Sequence, residues 1–214
     1  MTNRIEDAML REGPARPRQQ RSIATRAKLL DAAGRVFARL TFAEARLKDI
    51  SKESGISSEG ALFFHFGKKE DIAAAVIEAQ QERMLSVLDA ALESDLPAPE
   101  TILRLADDLA RLIADDSLVQ GGIRLINQPS VDFPTNTSNP FFRWIDIVKD
   151  VIDTGKGDGS IPSHVATAEA AEVINAMFIG EQVLAGLADS WASLPARIER
   201  LHPYIRGALN GSLG

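Results

Sequence analysis

Two glycines, Gly55 and Gly67, bracket the stretch ISSEGALFFHF, which leaves room for one short helix. Just before it, Leu47 to Ser54 reads as another short helix that buries Leu47 and Ile50, with Gly55 as its C-cap. Ser57 and Ser58 offer N-cap hydroxyls to the following helix, over roughly residues 58–65. Two short helices joined by a tight, glycine-containing turn form a helix-turn-helix pattern.

The flanks are helical too. From Ser22 to Leu40, Leu29, Leu30, Ala33, Val36, Phe37 and Leu40 recur at helical spacing. Lys68 to Leu92 reads as one long helix, apolar at Ile72, Val76, Ala79, Met84, Val87 and Leu88. Downstream, helices are expected over 98–114, 117–127, 141–154, 164–189 and 193–209, with Pro195 in a first turn. A Pro-, Asn-, Thr- and Ser-rich segment (128–140) and TGKGDGS read as loops. No stretch alternates like a strand, so the fold class is all-α. Residues 1–20 read as a flexible basic arm, 21–67 as the helix-turn-helix domain and 68–214 as a helical body.

Charge supports that division. The net charge is −6, yet residues 11–70 carry +6 and residues 71–214 carry −11. A basic head on an acidic body is the electrostatic footprint of a small DNA-reading module; a chance cluster on a solvated face is the plainer reading. There are no cysteines, which excludes disulfides and thiolate metal sites. No run reaches ~18 apolar residues, and MTNRIEDAML carries charge where a signal peptide needs an apolar core. The expectation is a cytoplasmic protein without a membrane span. His65, His164 and His202 are scattered, and no metal-ligand, triad, GxSxG or P-loop spacing occurs. These features point away from an enzyme and imply no cofactor or metal.

LLDAAGRVFA (29–38), DISKESGIS (49–57) and GALFFHFGKKEDIAAAV (60–76), in that order, resemble the TetR family of transcriptional repressors. A recognition helix in a major groove needs small or polar residues at its exposed N-terminal end and bulky anchors behind. Ser57, Ser58, Glu59, Gly60 and Ala61 fit the first role, and Leu62 and Phe66 the second. The resemblance places Phe63, Phe64 and His65 at the sugar-phosphate edge. Lys68 and Lys69, at a helix N-terminus, and Arg46 and Lys48 are phosphate candidates. Arg16, Arg18 and Arg21 are candidates for a minor groove. Plainer alternatives stand beside each: a backbone-satisfied His65, a core Phe63, solvated lysines and a disordered arm. The stretch departs from the family pattern where SSE (57–59) replaces two residues, and Glu59 brings a carboxylate to a DNA-facing position. A helical adaptor that keeps the fold without reading DNA is the competing function.

GGIRLINQ (121–128), NPFFRWIDIV (139–148), AEVINAMFIGEQ (171–182) and WASLPARIERL (191–201) resemble the γ-butyrolactone receptor branch of that family. The resemblance implies a body that binds a small diffusible lactone and releases its operator. It places Trp144 and Gln80 at the pocket, with Ile179 where many of the branch carry threonine. Leu105, Ile123, Phe141, Met177 and Phe178 are further candidate walls; Arg124, Gln128 and Asn175 are candidate polar contacts. Trp144 as ordinary core is the alternative. The loss of the threonine hydroxyl at Ile179 speaks against a simple γ-butyrolactone, with a butenolide, a furan-type signal or a pathway antibiotic as the alternatives. The last two long helices, with Ile174, Phe178, Val183, Leu184 and Leu187, then Leu194, Ile198, Leu201, Ile205 and Leu209, are amphipathic. The resemblance makes them a homodimer interface that sets two recognition helices on operator DNA.

Overall fold

The computed structural model describes residues 15–56, 59–128 and 140–211, the side chains of 15–18 and 140–142 aside. Over these residues the chain is helical, without strands: α1 (Ala15–Phe37), α2 (Leu47–Ser54), α3 (Glu59–Phe66), α4 (Lys69–Leu92) and α5 (Ala98–Asp115) come first. α6 (Ser117–Ile126), α7 (Pro140–Asp158), α8 (Thr167–Asp189) and α9 (Leu194–Leu209) complete the body.

α1 begins at Ala15, inside the stretch expected to be a flexible arm. Pro17 falls in its first turn, where a missing N–H costs no intrahelical bond, and the following Arg and Gln residues are good helix formers. The expected capping hydroxyls of Ser57 and Ser58, and most of the 128–140 loop, lie outside the described residues. α2 ends as its sequence demands, with Gly55 at φ +68°.

TGKGDGS is not a loop throughout, because α7 continues to Asp158. Gly155 is there for contact rather than for a turn: a Cβ would lie 2.5 Å from Ala98 Cβ and 2.9 Å from the Ile161 side chain. The helix stops at Gly159, φ +84°.

The head closes over Leu29, Phe37, Ile50, Leu62 and Ile72, all essentially inaccessible to solvent. α2 is strapped to α1 by Glu53, which accepts from Arg35 (2.8 Å) and Arg39 (2.6 Å). The same core continues into α6 through Leu118 and Leu125. Head and body therefore share buried surface, and the body is not a separately tethered unit.

Glycine makes that junction close. A Cβ on Gly34 of α1 would meet Leu118 Cα at 2.5 Å, and one on Gly122 of α6 would meet Gln80 Cβ of α4 at 2.6 Å. Arg83 of α4 adds a charged clamp. Its guanidinium donates to Asp31 of α1 (2.8 Å) and to Asp116, whose carboxylate also caps α6 by accepting from Leu118 N (2.9 Å). Burial opposes the Arg83 charge, but the hydrogen bonds it donates to both carboxylates, together with their negative charges, outweigh it and raise its pKa above the usual arginine value.

Candidate functional site

The outer face of the head is built on α3. Leu62 is fully buried, and Ala61 and Phe66 are half-buried against the head core, with the Arg26 guanidinium 4.8 Å above the Phe66 ring. One turn of helix then forces the neighbouring side chains outward. Phe63 is 55% and Phe64 81% exposed, so Phe63 is not core. The His65 ring stands edge-on to Phe64 at 5.1 Å and is itself only partly exposed. Glu59 and Gly60 lie exposed at the start of the helix. Phe63 and Phe64 thus form a local apolar patch on a helix of eight residues.

The basic candidates divide. Arg46, Lys48 and Lys68 are exposed around this face. The backbone N–H groups of Arg46 and Lys68 donate to Asp49 (2.9 Å) and Asp71 (3.1 Å), which closes the first turns of α2 and α4. Lys69 turns inward: its ammonium donates to the carbonyls of Phe42 (2.8 Å) and Ala45 (3.1 Å) and sits 4.3 Å over the Phe42 ring. With two of its three protons engaged, Lys69 holds the α1–α2 loop against α4. Arg16 and Arg18 lie outside the described side chains; Arg21 is exposed on α1.

The body contains an apolar cavity of about 90 Å³, lined from α4, α5, α6, α7, α8 and α9. It brings together the expected Gln80, Leu105, Ile123, Trp144, Asn175, Phe178 and Ile179. Met84, Ile102, Ala106, Leu109, Ile126, Asn127, Val148, Ile174, Gln182, Ile198, Leu201 and Ile205 complete the wall and escaped the sequence reading. Among the described residues, no side chain with a formal charge lines it. Gln80 is 4% exposed, and its Oε1 is buried without a hydrogen-bond partner while its Nε2 contacts Met84 Sδ. An orphaned buried acceptor costs roughly 1–3 kcal/mol, which a ligand donor would offset.

Three expected contacts are not part of the cavity. Arg124 points the other way, its guanidinium 5.3 Å over the Trp191 ring. Gln128 accepts from Phe42 N–H (2.9 Å) and donates to the Arg124 carbonyl (3.2 Å), which commits both ends of its amide to the head–body junction. Met177 packs instead with the α5, α7 and α9 cluster around Ile152. The Phe141 side chain lies outside those described.

Comparison with known proteins spans both head and body. Residues 29–76 match the bacterial regulatory proteins, tetR family. The A-factor receptor protein of Streptomyces griseus is 24% identical over 189 residues, which cover 88% of this chain and 64% of that protein. The chain thus spans under two thirds of the length of that curated relative. A structure solved to explain the control of antibiotic production by bacterial hormones superposes with a TM-score of 0.77 at 27% identity, covering 87% of this chain and 98% of that one. TylP, a TetR regulator from Streptomyces fradiae, gives 0.60 at 28% identity, over 89% and 81% of the two chains.

Residues 29–76 carry the helix-turn-helix domain of the tetR family, and the fold of the chain is similar to that of TetR regulators. The fold is also similar to that of a solved γ-butyrolactone receptor, an ArpA-like protein, with a TM-score of 0.66 at 22% identity over 86% of this chain and 99% of that one.

Proposed function

We propose that the chain is a ligand-responsive repressor. It binds a palindromic operator as a homodimer and leaves it when a small, largely apolar signalling molecule of γ-butyrolactone, butenolide or furan type enters the body. The observation that carries this reading is the double use of α6. Its Ile123 and Ile126 line the cavity, while its Leu118 and Leu125 belong to the core of the head. A ligand that favours one position of α6 therefore also favours one position of α1, within the limit set by its differential affinity for the two states.

The dimer reading rests on α8 and α9. Ile174, Leu194, Ile198, Ile205 and Leu209, expected on the amphipathic faces, are used inside the protomer. What stays exposed is Val173, Val183, Leu184 and Leu187 on α8, with Tyr204 on α9. This stripe recurs at helical spacing on one side of α8, as a partner helix requires. α8 is also long and apolar enough, by length and composition, to cross a membrane. Its one-sided exposure, opposite a face that buries Ala170, Ile174, Gln182 and Ala185, fits a protein partner better than lipid on all sides.

The test is a selection of DNA from a random-sequence pool by the purified full chain, followed by anisotropy titrations at two salt concentrations. A palindrome bound tightly, in a salt-dependent way, supports the repressor. Failure to enrich any sequence favours the helical adaptor, for which the exposed Glu59 carboxylate on α3 speaks.

A further inference from the structure

The amide of Gln128 joins two parts of the molecule that do different work. It stands just past the end of α6, and its Nε2 donates to the carbonyl of Arg124 in that helix's last turn (3.2 Å). Its Oε1 accepts from the backbone N–H of Phe42 (2.9 Å), in the loop between α1 and α2. Phe42 stacks on Phe37 of the head core at 6.2 Å, and both its ring and its carbonyl hold the Lys69 ammonium. Lys69 is the first residue of α4, directly behind the turn that ends α3. From Gln128 the contacts therefore run through Phe42 and Lys69 to the base of the exposed aromatic helix.

The other side of the same turn of α6 faces the cavity, through Ile123, Ile126 and Asn127. A body that enlarges the cavity against these residues must either carry the 41–46 loop along or break the Gln128–Phe42 hydrogen bond. We propose that Gln128 is a positioning residue: it makes no contact with the ligand and transmits occupancy of the cavity to the loop that supports α3. The inference rests on the reading of the cavity as the ligand site, and it assigns the route of regulation.

A side chain can serve as the probe, which removes the need for a known effector. Ala106, on the α5 wall of the cavity, is replaced by Phe to fill it, alone and together with Gln128→Leu, in the full chain. Hydrogen–deuterium exchange of the amides of residues 41–46 is the readout, with circular dichroism melting to confirm that each variant is folded. Ala106→Phe is expected to speed exchange of this segment by about tenfold or more. In the Gln128→Leu background exchange is already fast, and Ala106→Phe adds nothing. Gln128→Glu keeps the acceptor for Phe42 N–H but sets a second acceptor against the Arg124 carbonyl, so it is expected to lose the response as Gln128→Leu does. The inference is overturned if Ala106→Phe leaves the segment unchanged, or speeds it equally with and without Gln128.

The same variants on a selected operator give the functional arm: Ala106→Phe weakens binding, and adding Gln128→Leu cancels that effect. If no DNA is selected, the repressor reading fails while the exchange experiment still decides the role of Gln128.

Discussion

Gly121 of α6 lies against the carbonyl of Gly34 in α1, so closely that a Cβ on Gly121 would sit 2.4 Å from that oxygen. The obstacle is backbone, which no rotamer change relieves. Alanine in a helix interior gains about 1 kcal/mol over glycine, whereas overpacking costs about 1–3 kcal/mol. With both helices forced apart, the cost wins. Gly121→Ala is expected to lower stability by up to about 2 kcal/mol in urea unfolding. Gly157 of α7 is the control, because a Cβ there meets nothing within 4 Å. Gly157→Ala is expected to be neutral or to stabilise by up to about 1 kcal/mol.

Glu53 makes the head sensitive to acid. Hydrogen bonds from Arg39 and then Arg35 lower its pKa below the ordinary glutamate value, against a smaller effect of burial. A lowered native pKa gives stability that is present above the unfolded value, about 4.3. That contribution disappears as pH falls through the native value. Both arginines are substantially exposed, so Glu53→Gln should cost only about 0.2–1 kcal/mol at neutral pH. Melting curves of wild type and variant should converge on acidification; a constant gap down to strongly acidic pH would contradict the pairing.

Lys68 and Lys69 should behave differently despite their adjacency. Lys68 is exposed and Lys69 is committed to the Phe42 and Ala45 carbonyls. Lys68→Ala is expected to weaken operator binding evenly across sequences and to reduce the salt slope by about 1, with the melting temperature unchanged. Lys69→Ala should lower the melting temperature as well. Equal melting losses in both variants would refute this assignment.

Leu187 is 81% exposed on α8. Leu187→Glu should convert a dimer to monomer in sedimentation at micromolar concentration, because a buried unpaired carboxylate is not tolerated in an apolar contact. A dimer that survives the change would move the interface elsewhere.

The periodicity that revealed the helices also limited what could be read about the cavity. Ile102, Leu105, Ala106 and Leu109 on α5, or Ile198, Leu201 and Ile205 on α9, recur as any core stripe does. Whether such a stripe meets side chains or an empty space depends on the opposing helices, which spacing on one helix does not record. Arg124 and Gln128 show the opposite case. Arg124 lies in the last turn of α6 and Gln128 just past its end, bonded back to the Arg124 carbonyl, while Ile123, Ile126 and Asn127 line the cavity. Polar character alone suggests the cavity for both. On α3 the sequence leaves Phe63 open between core and surface, because Leu62, Phe63, Phe64 and Phe66 are all apolar, and the packing against the head decides it by burying Leu62 and exposing Phe63 and Phe64. Lys69 could not be separated from Lys68 in this way, because its partners are carbonyls more than twenty residues away in sequence.

Asp116 both caps α6 and holds Arg83, so the first turn of that helix is fixed to α4 and, through Asp31, to α1. Gln128 fixes the last turn to the loop at Phe42. A rod fastened at both ends has little freedom to slide along its length. What remains is roll about its own axis, and at the glycine crossing a few degrees of roll becomes a lateral push on α1 that also pulls on the Phe42 loop through Gln128.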